Sequence, residues 1–91
     1  MSRITPTILD GQLRALTALA GTPAAPYVDG KAQVGAYLID RSYGGAALHQ
    51  IANDQGGERD VLEAGYQSAG TLSLLIRAYA NGYRDALRRQ A

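Results

Sequence analysis

The sequence predicts a small α+β fold in the order α-β-β-β-α, a three-stranded antiparallel meander covered by two helices. Two stretches of helical apolar periodicity, one near each end, enclose a middle segment in which the apolar period falls to two. The turns separating the period-two runs are short, and short turns favour antiparallel neighbours. A sheet of three strands has one apolar face to bury, and two amphipathic helices are there to bury it.

The first helix is expected over about 6–20, with a start at Asp10 as the competing boundary because Gly11 is costly inside a helix. Thr5 can cap it, Pro6 suits the first helical position, and Asp10 lies near the positive end of the macrodipole. At about 100° per residue, Leu9, Leu13, Leu16 and Ala20 share a sector of about 60°, flanked by Ile8 and Leu19. Gly21 ends the pattern and Pro23 cannot continue it. Residues 21–31 read as a linker, with prolines spaced by alanines and a turn signal at Asp29-Gly30.

Strands are expected over about 33–40, 45–52 and 59–66. In the first, Val34, Ala36 and Leu38 face one way, and Tyr37 and Ile39 the other. The second is rich in alanine, and the third centres on Val61-Leu62. The turns between them are Asp40-Arg41-Ser42-Tyr43-Gly44-Gly45 and Asn53-Asp54-Gln55-Gly56-Gly57, both rich in residues that tolerate positive φ. The last helix is expected over about 69–89 with Ser68 as its preferred cap and Thr71 as the alternative. Leu72, Leu75, Ile76, Tyr79, Tyr83, Ala86 and Leu87 share a face about 120° wide, and Arg88 and Arg89 sit at the negative end of the dipole.

Composition bounds the function. A chain of 91 residues without cysteine holds no disulfide or thiolate metal site, and it is long enough for one core, hence a single domain over 1–91. No metal or cofactor is expected. The longest apolar stretch, Leu72 to Ala80, is broken by Ser73 and Arg77, and falls short of the roughly 20 residues that span a bilayer. No apolar run follows Met1 as in a signal peptide, so a cytoplasmic location without membrane contact is expected. A net charge of +1 with scattered charges creates no strong field for nucleic acid.

Candidate residues are few. His49 is the sole histidine, and no zinc-ligand spacing surrounds it. Asp54, Glu58, Asp60 and Glu63 cluster about the second turn, where a small enzyme would pair one of them with His49; a solvated acidic edge is the competing expectation. Gly44-Gly45 and Gly56-Gly57 lack the Lys-Ser/Thr of a phosphate loop and read as tight turns needing positive φ. Tyr43, before Gly44, either packs back on the core or stands out as a contact. Arg77, Arg84 and Arg88 lie within about 40° of one another on the last helix, nearly opposite its apolar face. That face offers phosphate contacts to nucleic acid, or is simply solvated. Leu74 and Ala78 form an i, i+4 ridge off the main stripe and suggest a homodimer interface, unless Tyr27 and the linker fold over Leu74.

The α-β-β-β-α order is similar to that of the double-stranded-RNA-binding domain. That domain opens its second helix with a basic cluster, whereas Ser68-Ala69-Gly70-Thr71 carries no basic residue here, so the likeness is one of topology. The string Ile4-Thr5-Pro6-Thr7-Ile8-Leu9-Asp10-Gly11-Gln12-Leu13-Arg14-Ala15-Leu16 resembles the opening of small proteins of unassigned role carried by tailed phages and prophages. Tyr43-Gly44-Gly45 with Leu48, Gly56-Gly57 with Asp60-Val61-Leu62, and Leu72-Ser73-Leu74-Leu75-Ile76-Arg77-Ala78 extend that resemblance over nearly the whole chain. It implies a mobile-element origin and no particular activity. The expectation for function is therefore a small non-catalytic protein that binds a protein partner, such as one of the host.

Overall fold

The structure, a computed structural model, describes residues 6–90. Its elements in chain order are α1 (Pro6–Ala20), β1 (Tyr27–Val28), β2 (Lys31–Ala32), β3 (Tyr37–Ser42), β4 (Gly45–Ile51), β5 (Glu58–Asp60) and α2 (Ala69–Gln90). Both helices fall where their periodicity places them. The Thr5 cap lies outside the described residues. At the far end of α1, Gly21 takes a φ of 69° and donates to the Thr17 carbonyl at 2.9 Å, so the chain leaves the helix through a left-handed residue. Ser68 caps α2 as expected, its hydroxyl accepting from the Thr71 amide at 3.2 Å.

The segment 21–31, expected to be a plain linker, holds the hairpin β1–β2. Asp29 and Gly30 both have positive φ, 51° and 76°, so their turn is the mirror-image kind whose twist matches paired strands.

The main sheet has the antiparallel order β3-β4-β5. The first strand starts later than expected and runs on to Ser42, because only Tyr43 and Gly44 form the turn, with φ of 55° and 74°. Residues 33–36 are not strand, and Val34 is exposed. Gly35 and Ala36 instead share one partner, Ile51, in a bulge: Gly35 donates to its carbonyl and Ala36 accepts from its amide, each at 2.9 Å. The third strand is much shorter than 59–66. It spans Glu58–Asp60, and Val61-Leu62 form a turn instead. Asp60 is the cause, since its carboxylate accepts from the Glu63 amide at 3.1 Å and the Gly65 amide at 2.9 Å, folding the chain over. Gln67 then returns to pair with Ala46, and the chain passes into α2.

Both helices cover the face of the sheet that carries Tyr37, Ile39, Ala46 and Leu48. Leu9 and Leu16 from α1, with Leu72 and Ile76 from α2, complete the buried core. Gln12 of α1 donates to the Ser73 carbonyl of α2 at 3.2 Å. The buried arc of α2 is rotated toward Ser73, which is itself buried. Leu75, Tyr79 and Tyr83 are half-buried, while Ala86 and Leu87, expected on the core stripe, are exposed because α2 runs past the elements it packs on.

Candidate functional site: the helix-free face of the sheet

Antiparallel pairing puts cross-strand partners on one face. Leu38 lies opposite His49, which lies opposite Asp60; Asp40 lies opposite Ala47; and Ile51 lies opposite Glu58. All of these belong to the face away from the helices. Ala47 and Ile51 are nonetheless buried.

Two polar pairs stand on this face. His49 Nδ1 lies 2.8 Å from Glu58 Oε1, a contact both partners make while partly screened from water. The Tyr66 hydroxyl donates to Asp40 Oδ2. That hydrogen bond to a carboxylate raises the Tyr66 phenol above its ordinary value, because ionisation would face one negative charge with another. An aromatic row joins the two pairs. Tyr43 meets Tyr66 edge-to-face with ring centroids 5.5 Å apart, and Tyr66 lies 6.2 Å from the His49 ring. Tyr66 thus has its ring fixed by Asp40 at one end and its backbone fixed by the Asp60-stapled loop at the other.

Tyr43 does not pack on the core. It is 94% exposed, at the tip of the β3–β4 hairpin, and its φ of 55° is one that bulky side chains rarely adopt. Of the acidic cluster, Glu58 alone reaches His49. Asp60 is spent on its own loop, and Asp54 and Glu63 are exposed elsewhere. Asp40 and Tyr66 were not singled out by the sequence. Asp40 looked like a turn residue and Tyr66 like a strand end, and only the shortened third strand brings them together.

The other predicted residues lie on α2, on the opposite side of the molecule. Leu74 is 63% exposed, and Ala78, Arg77, Arg84 and Arg88 are exposed with it. Tyr27 does not cover Leu74; its hydroxyl lies against Gly56 in the β4–β5 loop. Arg84 donates to Asn81 at 3.0 Å, and Arg88 pairs with Asp85 at 2.9 Å, which offsets part of the positive charge. Arg77 and Arg84 rim a small cleft between the helices, of about 140 Å³, whose floor includes Leu16, Leu19 and Ile76.

Among the described residues no group of three His, Asp or Glu side chains could hold a metal ion, and no helix is long and apolar enough to cross a membrane. No family model, curated protein or solved structure matches the chain.

Proposed function

We propose that this chain acts by binding a protein partner, and that the contact is the aromatic corner made by Tyr43 and Tyr66 on the helix-free face of the sheet. The likeness of its sequence to small phage and prophage proteins favours a mobile-element origin, with a host protein as the partner. The observation that carries the proposal is Tyr43. A non-glycine residue in the left-handed region costs about 1–2 kcal/mol. An edge-to-face ring pair contributes about 0.5–1.5 kcal/mol, at the low end for a ring this exposed. Tyr43 therefore adds little or nothing to folding, and unrequited strain of this kind collects at functional sites. Tyrosine is also a favoured contact residue, offering large area for few frozen torsions.

The test is Tyr43→Asn, which places the preferred Asn-Gly pair in a mirror-image turn. The expected result is a variant as stable as the parent or more so, by up to about 1 kcal/mol, that no longer retains the proteins the parent captures from host lysate. Capture of the same proteins by the variant, or a clear loss of stability, would overturn the proposal.

A further inference from the structure

The outer edge of β3 is an open ladder. Two residues fix the alternation along β4: Ile51 bonds Gly35 and Ala36 on the β3 side, and Ala46 bonds Gln67 on the other. Gly45, Ala47 and His49 therefore bond Ser42, Asp40 and Leu38, and the backbone groups of Tyr37, Ile39 and Arg41 turn outward. Tyr37 is buried, Ile39 half-buried and Arg41 exposed, so the open stretch is 39–41. Among the described residues the N–H and C=O of Ile39 and Arg41 have no hydrogen-bond partner. The chemistry that matches such groups at this spacing is another extended chain.

A second observation gives that chain room. α1 packs on β3 and α2 on β4, so the flank of α1 away from α2 overhangs the open edge. A helix about 10 Å wide seated on an edge strand reaches about 5 Å beyond it, one strand spacing. Along that flank runs a half-open cleft of about 530 Å³, whose lining includes Leu13, Thr17 and Ala18. It seats the inward side chains of an added strand.

Charge decides which strand. Asp40 stands on the helix-free face between Ile39 and Arg41, where it accepts from the neutral Tyr66 phenol. Its neighbour Arg41 turns to the other face, 3.9 Å from Asp10. A second copy fits badly. Two-fold pairing over 39–41 sets Asp40 against Asp40 or Arg41 against Arg41, and pairing centred on Ile39 needs the buried edge of Tyr37. We infer that the β3 edge takes an extended segment of the protein partner, antiparallel, with a Lys or Arg opposite Asp40 and apolar residues on either side of it facing α1. This rests on the reading that the chain binds a protein partner, and it names how that partner is held. The strand ends at the Tyr43 turn, so edge and aromatic corner form one surface.

The probe is the peptide acetyl-Thr-Val-Arg-Val-Thr-amide, titrated at low salt and followed by amide chemical shifts and hydrogen exchange. In the free protein the Ile39 and Arg41 amides should exchange quickly, and that of Asp40, bonded to Ala47, slowly. The peptide should shift the resonances of 38–42 saturably and protect Ile39 and Arg41. N-methylation of both valines, whose amides face β3, should abolish binding. N-methylation of the arginine, whose amide faces away, should leave it intact. Glu in place of the arginine should weaken binding about tenfold, as one charge-assisted contact allows. Asp40→Asn should level that preference and Asp40→Lys should reverse it. Absence of saturation, binding indifferent to N-methylation of the valines, or an Arg-over-Glu preference that survives both variants would each overturn the inference. Protection of Ile39 and Arg41 that rises with protein concentration, alongside a dimer in sedimentation, would give the edge to a second copy and overturn it as well. Tyr43→Asn keeps the two readings apart: unchanged capture from lysate sinks the Tyr43 contact, whereas the edge stands or falls on the peptide series.

Discussion

Gly44 and Gly45 stand side by side in the sequence for different physical reasons. Gly44 needs its φ of 74°, and a side chain there would meet open space. Gly45 is an ordinary strand residue whose missing side chain admits the returning backbone. A Cβ on it would stand 3.0 Å from the Gln67 carbonyl oxygen and 3.2 Å from Tyr66 Cβ. The tight-turn expectation therefore holds for Gly44 and fails for Gly45. Gly56 and Gly57 divide the same way, the first with a φ of 87° and the second pressed against the Asn53 side chain that accepts its amide. Gly44→Ala should cost about 1 kcal/mol through strain alone. Gly45→Ala should cost more, about 1–3 kcal/mol, because backbone rather than a flexible side chain has to move. Urea denaturation of the two variants decides this, and equal costs would mean that 66–67 yields freely.

At the scale of elements, the helices were legible and the strands only partly so. A helix of 15 or 22 residues repeats its apolar signal over several turns, and caps such as Ser68 and Gly21 mark its ends. A strand of three residues repeats nothing. Glu58–Asp60 is polar throughout, so its place in the sheet depends on β4 alone, while the apolar Val61-Leu62 that suggested a strand centre packs on the core from a turn. The deciding interaction is the Asp60 carboxylate with two amides of its own loop, a local bond that competes with continuing the ladder. This also explains why Tyr66 and Asp40 escaped notice, since their meeting depends on that loop. Removing the staple with Asp60→Ala should cost about 1–3 kcal/mol. In hydrogen exchange, the Glu63 and Gly65 amides should lose protection first, while those of Leu72 and Ile76 keep theirs. Uniform loss across the chain would show instead that the loop and the core open as one unit.

For the molecule as a whole, the seam between α2 and the sheet rests on tyrosines in place of the Phe and Trp this sequence lacks. Tyr37 on β3 is buried, and its hydroxyl shares a hydrogen bond of 3.0 Å with that of Tyr79 on α2, whose ring in turn lies 6.3 Å from that of Tyr83. Burial first, and then the bond to Tyr79, push the Tyr37 phenol far above its ordinary value near 10. The folded state thus holds this proton more tightly than the unfolded chain does. The resulting stability is fully present below about pH 10, where the unfolded phenol is still protonated. Above that the unfolded state releases its proton while the folded state cannot, so the free energy of unfolding falls as pH rises. Tyr66 on the outer face shifts the same way, but its exposure makes its share small. Tyr37→Phe should therefore do two things that a mere packing defect would not do together. Near neutral pH it should cost about 0.5–1.5 kcal/mol for the lost hydrogen bond. Between about pH 10 and 11.5 it should lose less stability than the parent, so that the two curves converge. Denaturation series at several pH values give both numbers from one pair of proteins. Parallel curves across that range would show that the alkaline sensitivity arises outside the Tyr37–Tyr79 seam.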